Sequence, residues 1–338
     1  MQARGRGAVK PPIGIAFDGD LGNRIDAVLA LAMLNGLNAK AEARRISLSS
    51  SRSSLKAVQL ADVISGFYTG RVIAGPGGGI GQIREGVIGM PQDGPADAAP
   101  ALGAALDKKT ADGAPQYASN IHRLLDTAES SVLIRNMLLA QNDENASIVL
   151  AGPATGIARL IGLYGAKPQI VAKVKQLIVA VGSYPKGSPD PAITSDLAAA
   201  RTMFAEWPTT LIAVGSEVGE ALPYPGASVE KDFAWAPNHP VVDAYKAFKA
   251  MPYDAPASAL AAVLEAAHPD DGYFTLSAPG TISVSDDGRT QFTPGADGKH
   301  RYVIVDPAQK DRVTKFYTDM VSAPPAPRPG RGRGAAAP

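Results

Sequence analysis

The stretch Ile13-Gly-Ile-Ala-Phe-Asp-Gly-Asp-Leu-Gly-Asn-Arg-Ile-Asp-Ala-Val-Leu-Ala-Leu-Ala-Met-Leu34 decides the fold of this chain. An apolar run at 13–17 ends in two carboxylates, turns at Gly22 and continues as an amphipathic segment with helical spacing. This pattern predicts a buried strand, a loop and a helix. Open α/β sheets place their ligands at the carboxyl ends of strands, so Asp18 and Asp20 become candidates for a binding site.

The start of the predicted helix adds two polar residues to this group. Asn23 has the position of a helix cap, and Asp26 has the position of a capping-box acid. Asp18, Asp20 and Asp26 are expected to lie close together, and such a cluster repels itself unless a cation or a bound proton compensates it. Either Asp26 caps the helix and Asp18 binds loop amides, or the carboxylates form a site for a hard cation.

Strands and helices alternate along most of the chain, which predicts an α/β fold with a mostly parallel, doubly wound sheet. The predicted strands are at 43–49, 71–74, 147–150, 177–181 and 210–214, and the predicted helices are at 55–67, 117–125, 131–141, 196–204, 241–251 and 257–267. Short alternating segments between 273 and 305 predict a small β-hairpin region near the C-terminus, before a closing helix at 307–320.

The length of 338 residues and the 45% of hydrophobic residues suffice for one large domain. We predict that this domain spans 13–322, after a flexible segment at 1–12. The remaining residues, 323–338, consist mainly of Pro, Ala, Gly and Arg without apolar periodicity, which predicts a disordered tail.

Composition excludes several classes of partner and chemistry. A net charge of +1 gives no case for nucleic acid or for an anionic membrane as a partner. No window approaches the ~18 consecutive apolar residues of a membrane span, so we expect a soluble protein. The absence of cysteine excludes disulfides, thiolate catalysis and cysteine-bound zinc. The compartment stays open, since the protein is either cytoplasmic or exported with a leader that has been trimmed.

Other conspicuous residues have structural explanations. The four histidines show no metal-ligand spacing, so surface positions are expected for them. Trp207 is expected in the core, since it stands between a helix end and a strand. The glycine run at 75–81 lacks the Gly-Lys-Ser/Thr of a phosphate loop, and a mobile loop over the strand ends is expected there instead.

Several motifs resemble the inosine-uridine preferring nucleoside hydrolases, from about residue 13 to residue 320. The opening stretch is similar to their N-terminal signature, an Asp-x-Asp followed by glycine and then by two adjacent aspartates at the head of a helix. The further matches are Val149-Leu-Ala-Gly-Pro-Ala-Thr-Gly-Ile-Ala158, Glu206-Trp-Pro-Thr-Thr-Leu-Ile212, Gly215-Ser-Glu-Val-Gly219 and Pro252-Tyr-Asp254. Together these motifs are fairly specific, whereas each alone is weak.

The resemblance implies a Ca²⁺-dependent N-ribohydrolase that cleaves a nucleoside or a related riboside and forms dimers or tetramers. In such an enzyme the metal lowers the pKa of a bound water, and a carboxylate removes its proton. Asp20 matches the general base. The implied metal ligands are Asp18, Asp20, Asp254 and the carbonyl of Ala151, and the implied substrate-binding residues are Asn23, Asp26 and Asp190.

The sequence also departs from the family pattern at the residues that grip metal and substrate. Ala27 replaces the second aspartate of the pair, which is the bidentate calcium ligand, and Arg24 can pair with Asp20 or Asp18 in place of a metal. Further losses are Ser51 and Ala192 near the positions of ribose-binding asparagines, Asp190 in place of a glutamate, and Tyr253 in place of a histidine. Two hypotheses therefore stay open: an N-ribohydrolase with a weakened metal site, or a non-catalytic relative that binds a sugar-like ligand or a partner protein.

Overall fold

The computed structural model describes residues 11–69, 87–97 and 101–325. The strand predicted at 71–74 and the glycine run at 75–81 lie outside these residues, as do most of the two predicted terminal segments. Across the described residues, no helix combines the length and the apolar character that crossing a bilayer requires.

Eleven strands of the described residues form one sheet, which confirms the predicted α/β fold. The strands are β1 (Ile13–Gly19), β2 (Ala43–Ser50), β3 (Gly89–Met90), β4 (Ala128–Glu129), β5 (Ala146–Ala151), β6 (Val174–Val179), β7 (Thr210–Ala213), β8 (Thr275–Leu276), β9 (Gly280–Val284), β10 (Thr290–Pro294) and β11 (His300–Ile304). Their order is β10-β9-β11-β7-β6-β5-β1-β2-β3-β4, and β8 pairs with β11. Neighbours from β11 to β4 are parallel, whereas β8, β9 and β10 pair antiparallel in the predicted C-terminal β region.

Strand β1 lies at the centre of the sheet, paired with β2 on one side and with β5 on the other. Ile15, Ala16 and Phe17 have no exposed surface, as expected for a strand that is covered on both faces. The chain extends the sheet outward from β1 in two directions, so the carboxyl ends of β1 and β5 form the switch point at which doubly wound folds place a ligand crevice. The residues that follow β1 are therefore placed where this class of fold binds its ligands.

Helices cover both faces of the sheet, as a doubly wound fold requires. They are α1 (Ile25–Ala39), α2 (Leu55–Thr69), α3 (Ser130–Leu139), α4 (Thr155–Gly162), α5 (Ala166–Lys173), α6 (Pro191–Ser195), α7 (Leu197–Glu206), α8 (Ser216–Ala221), α9 (Gly226–Lys231), α10 (Pro240–Phe248), α11 (Ser258–Ala267) and α12 (Lys310–Val321). One core contains α1, α2, α10, α11 and α12 together with Phe17, and the other contains α3, α4, α5 and α7 together with Ala16.

Helix α1 is buried on all sides, so the prediction of an amphipathic helix is wrong. Every residue from 25 to 37 is buried, because α11 and α12 pack against α1 in addition to the sheet. Gly36 permits the approach of α12, since a Cβ atom there would overlap the carbonyl oxygen of Met320. The first helix is therefore an inner element, and its start cannot shift freely.

The helix predicted at 117–125 is absent, apart from a single 3₁₀ turn at Leu124–Asp126. The Asp62 carboxylate accepts hydrogen bonds from the Ser119 hydroxyl at 2.7 Å and from the Asn120 amide at 2.8 Å. Asp126 likewise accepts hydrogen bonds from the amides of His122 and Arg123. These carboxylates bind backbone amides in an irregular conformation, which competes with helix formation.

Two of the four histidines are buried, so the prediction of surface positions is wrong for them. His239 is 1% exposed and His300 is 5% exposed. The Nδ1 atom of His239 accepts a hydrogen bond from the Val241 amide, and that of His300 accepts one from the Ile282 amide. Burial lowers the pKa of His239 to about 3 and the pKa of His300 to about 4, so both are neutral at pH 7. Trp207, at 4% exposure, lies in the core as predicted.

Replacing a glycine inside a helix with alanine usually stabilises a protein. The contact between α1 and α12 predicts the opposite effect at Gly36. Gly36→Ala should lower the free energy of unfolding by about 1–3 kcal/mol, because α12 must shift to avoid the overlap with Met320. In the control variant Gly162→Ala, the added Cβ meets no atom within 4 Å. That variant should gain roughly 0.4–1 kcal/mol. Urea unfolding measures both, and a stabilised Gly36→Ala variant would refute the close packing.

Candidate functional site

The candidate site lies at the carboxyl ends of β1, β2 and β5. Asp20 follows β1, and its backbone amide donates a hydrogen bond at 2.9 Å to the carbonyl of Ala151, the last residue of β5. On the other side, the amide of Ser51 donates at 3.0 Å to the carbonyl of Gly19. Main-chain hydrogen bonds to both neighbouring strands therefore hold Asp20 at the mouth of the crevice.

The Asp20 carboxylate forms a buried ion pair with Arg52. Arg52 Nε donates to Asp20 Oδ2 at 2.6 Å, and the two side chains are only 6% and 3% exposed. Asn23 Nδ2 donates to the other oxygen, Oδ1, also at 2.6 Å. Both oxygens of the predicted general base thus accept hydrogen bonds from this chain itself.

A second guanidinium pairs with Asp26. Arg24 donates from Nε to Oδ1 at 3.0 Å and from Nη2 to Oδ2 at 2.7 Å, which is the two-pronged geometry typical of strong arginine–carboxylate pairs. Arg24 Nη1 also donates at 2.6 Å to the carbonyl of Ala180, just past β6. The hypothesis that Arg24 pairs with Asp20 or Asp18 is therefore wrong, because Asp26 lies two residues away and accepts both of its prongs.

Electrostatics favour the ionised form of both partners in this pair. Burial alone would raise the pKa of Asp26, but the Arg24 charge and hydrogen bonds from Arg24, Ala259 and Ser258 lower it below its ordinary value. Burial would likewise lower the pKa of Arg24, but the charges of Asp26, Asp190 and Asp20 raise it. Three of the predicted site carboxylates therefore act on one guanidinium, which places them in one charged cluster.

Neither Asn23 nor Asp26 caps α1. Arg24 is the residue that precedes the helix, and no side chain caps it. Asn23 instead donates to Asp20 and, at 3.2 Å, to Asp97. Asp26 pairs with Arg24, as described above. The capping interpretation fails because Asn23 donates to the carboxylates of Asp20 and Asp97, and Asp26 accepts from the Arg24 guanidinium.

Asp18 lies inside the protein and belongs to neither of these two ion pairs. It has no exposed surface, and within the described residues neither of its oxygens forms a hydrogen bond. Oδ2 lies beside Gly156 in the first turn of α4. Burial raises the pKa of the Asp18 carboxyl to about 7, with further contributions from the charges of Glu129 and Asp20.

Two other predicted site residues bind backbone amides. Asp190 caps α6, with Oδ1 accepting at 2.7 Å from the Ala192 amide and Oδ2 accepting at 2.7 Å from the Gly182 amide. Asp254 is exposed, and its Oδ1 accepts at 2.8 Å from the amide of Gly226. Asp190 therefore has a structural task beside the cluster, and the structure does not bring Asp254 into contact with Asp20.

Tyr253 is also engaged away from the crevice. Its hydroxyl donates at 2.6 Å to the carbonyl of Tyr245, while the Tyr245 hydroxyl donates at 2.8 Å to the carbonyl of Tyr253. The two rings stack with centroids 4.4 Å apart. Burial raises the pKa of Tyr253 above its ordinary value. This hydroxyl is therefore poorly placed to protonate a leaving group.

Sequence reasoning missed Arg52 at this edge, and it named Glu217 only within a motif, without assigning it a role. Arg52 follows β2, and Glu217 follows β7, so the order of parallel strands was a usable signal for both. One Glu217 oxygen accepts at 3.2 Å from the Tyr184 amide, whereas the other is buried without a partner among the described residues. Burial raises the pKa of Glu217.

Comparisons with known proteins identify the fold. No protein-family model matches the chain, and no curated protein sequence matches it. Among solved structures, a plant nucleoside hydrolase matches with a TM-score of 0.65 and 18% identity, covering 93% of this chain and 100% of that chain. The inosine-uridine preferring nucleoside hydrolase of Bacillus anthracis matches with a TM-score of 0.64 and 13% identity over 92% and 99% of the chains. The chain has the nucleoside hydrolase fold.

A third protein with this fold carries a bound riboside. It is the type III effector protein XopQ complexed with adenosine diphosphate ribose, with a TM-score of 0.64 and 13% identity over 93% of this chain and 95% of that one. Identities this low establish the nucleoside hydrolase fold without establishing an activity. The chemistry must therefore be judged from the residues in the crevice.

The residues present do not fit the Ca²⁺ that the resemblance implies. Ca²⁺ needs roughly six to eight oxygen ligands. Asp20 and Asp26 are each paired with a guanidinium, Ala27 is a buried apolar residue, and Asp254 is exposed with an amide partner. In the part of the chain that the structure describes, no three acidic or histidine side chains are arranged to hold a metal ion. We therefore assign no chemical step to a metal here.

The buried Asp18 predicts a pH dependence of stability. Its pKa rises from 3.8 to about 7 on folding, so between these values the folded protein binds a proton that the unfolded chain has released. Stability should therefore fall as the pH rises through this window and level off above it. Asp18→Asn should remove this part of the decline, which is on the order of 2–4 kcal/mol.

Urea unfolding of Asp18→Asn and of the unaltered protein at several pH values measures how much of the decline Asp18 causes. The other titrating groups are the same in both proteins, so their contributions cancel in the difference. The exposed-site variant Asp286→Asn serves as a control and should follow the unaltered protein. Parallel stability curves for Asp18→Asn and the unaltered protein would show that Asp18 does not hold the extra proton.

Proposed function

We propose that this chain binds a riboside at the carboxyl edge of β1 and does so without metal-assisted hydrolysis. The observation that carries this proposal is the charge arrangement in the crevice. Asp20 and Asp26, the two carboxylates that the resemblance assigns to metal and ribose, are each bound to an arginine of the same chain. The polar crevice is thus retained, while the set of oxygens that would hold a metal is not.

Of the two carboxylates, Asp20 keeps the greater capacity to bind a ligand hydroxyl. An ionised carboxylate offers about four lone-pair positions. At Asp20, Arg52 occupies one lone-pair position on Oδ2, and Asn23 occupies one on Oδ1. Oδ2 of Asp26 alone already accepts from Arg24, from the Ser258 hydroxyl and from the Ala259 amide. Asp20 is therefore our candidate for contact with a sugar hydroxyl.

The same contacts count against hydrolysis. Both oxygens of Asp20 already accept a side-chain hydrogen bond, from Arg52 and from Asn23, so neither oxygen of the predicted general base is free of a donor. A leaving-group acid is also missing from the position of Tyr253, whose hydroxyl donates to Tyr245. The N-ribohydrolase hypothesis thus lacks both a free base and an acid at the positions that the resemblance assigns.

The comparisons support a riboside as the ligand class. Two proteins with the same fold are named as nucleoside hydrolases, and a third is complexed with adenosine diphosphate ribose. These ligands share a ribose, whereas their bases and phosphates differ. The shared chemistry therefore favours a sugar ring with neighbouring hydroxyls.

A ligand can reach Asp20 only after a local movement, since the side chain is 3% exposed. Ala96 and Asp97 contact the two side chains that bind Asp20. Arg52 Nη1 donates at 3.0 Å to the carbonyl of Ala96, and Asp97 accepts hydrogen bonds from Asn23 and Ser54. We therefore expect binding to be accompanied by displacement of this segment.

An N-ribohydrolase that uses Asp20 without a metal is the second candidate. It is favoured by the central position of Asp20 at the switch between β1 and β5, and by the unused lone pairs just described. The two candidates differ in whether the base of a bound nucleoside is released.

The test is calorimetric titration with adenosine, inosine, uridine and adenosine diphosphate ribose, each with Ca²⁺ and with a chelator. We expect at least one ligand to bind with the same affinity in both buffers, and no free base to be detected by chromatography. Asp20→Asn should weaken binding about tenfold or more, because it removes one charged acceptor of a ligand hydroxyl. The control Asp286→Asn, on a side chain that is 99% exposed, should bind normally.

Each other outcome has a defined meaning. Failure of all four ligands to bind would refute the riboside proposal. Base release that requires Ca²⁺ would overturn the metal-free interpretation, and base release that is insensitive to the chelator would establish the second candidate instead.

A further inference from the structure

The strongest unassigned feature of the molecule is the side chain of Arg52. It lies just past β2 and is 5% exposed, although arginine is rarely buried unless it is paired. Its backbone is fixed by the Ser50 hydroxyl, which accepts from the Arg52 amide at 3.2 Å and donates to the Arg52 carbonyl at 2.9 Å. The Arg52 backbone, from which the guanidinium extends, is therefore fixed by its two hydrogen bonds with Ser50.

Three separate segments accept hydrogen bonds from this guanidinium. Nε donates to Asp20, Nη1 donates to the carbonyl of Ala96, and Nη2 donates at 3.0 Å to the hydroxyl of Ser195 at the end of α6. The planar fork of arginine suits such fixed, divergent contacts better than the single ammonium of lysine. Arg52 therefore connects the end of β1, residues 91–97 and α6.

A cation is needed at this point because other carboxylates surround Asp20. Asp26 lies nearby, but Arg24 neutralises it. The Arg24 Nε and Nη2 atoms both donate to Asp26, and neither donates to Asp20. Among the described contacts of Asp20, Arg52 is the positive charge. Removing one member of a buried ion pair leaves the other charge uncompensated, which is strongly destabilising.

We propose that Arg52 is the permanent counter-cation of Asp20 and positions it, in the place that the resemblance gives to Ca²⁺. Ala27 supplies no carboxylate to a divalent ion at this position, whereas the single charge of the Arg52 guanidinium balances the single charge of Asp20. The inference goes beyond riboside binding, because it concerns the charge state of the site without ligand and stands whether or not a riboside binds.

The experiment is a double-mutant cycle on the full chain, followed by thermal unfolding at pH 7. Arg52→Ala should lower the Tm by roughly 5–10 °C, because it strands the Asp20 charge. Asp20→Asn in the Arg52→Ala background should recover part of that loss, and Arg52→Lys should lose less than Arg52→Ala since it keeps the charge. The exposed-pair control Arg201→Ala, whose partner Asp286 is 99% exposed, should change the Tm little.

Calcium provides the second readout. The Tm of the unaltered protein should be the same with millimolar Ca²⁺ and with a chelator, and calorimetry should detect no stoichiometric Ca²⁺ binding. Additive effects of Arg52→Ala and Asp20→Asn, or Ca²⁺ binding by the unaltered protein, would overturn the proposal. If Arg52→Ala does not fold, the double variant is compared with Asp20→Asn alone. A double variant that is also unfolded, while Asp20→Asn alone folds, would likewise refute the proposal. None of these readouts depends on a riboside.

Discussion

The site depends on one electrostatic constraint: carboxylates collected at the end of a buried strand must be paired with positive charge. Two like charges a few ångströms apart in a partly buried crevice repel each other by several kcal/mol at an effective dielectric constant of about 20. This chain meets the constraint with Arg24 on Asp26 and Arg52 on Asp20. Each pair is formed by residues of the same chain, so Asp20 and Asp26 are each balanced without an added ion.

The fold makes these pairs rigid. Strand β1 is central, and helix α1 is enclosed by α11 and α12, so the residues between β1 and α1 have little freedom. Arg24 extends from this turn to the end of β6, and Arg52 extends from β2 toward β1 and α6. The two guanidiniums thus tie together the segments that surround the crevice, and their loss would affect its shape as well as its charge.

The fold was predictable because strand and helix periodicity is local. The β1 pattern placed Asp20 at the sheet edge correctly, and β2, β5, β6 and β7 follow the same alternation, whereas the two-residue strands β3 and β4 were not predicted. Side-chain partners were not predictable in the same way, since they depend on distant segments. Arg24 pairs with Asp26 because of the turn geometry, Arg52 reaches Asp20 from the neighbouring strand, and Asp254 accepts a nearby amide instead of joining the crevice. Burial of His239 likewise depends on an aromatic cluster from several elements.

A crystal structure grown with millimolar Ca²⁺ tests the central claim most directly. We expect the Arg52 guanidinium on the Asp20 carboxylate and the Arg24 guanidinium on Asp26, with no ion bound to either carboxylate. Density for a cation about 2.3–2.6 Å from Asp20 oxygens, with Arg52 turned away, would contradict this account, since that distance is characteristic of calcium coordination.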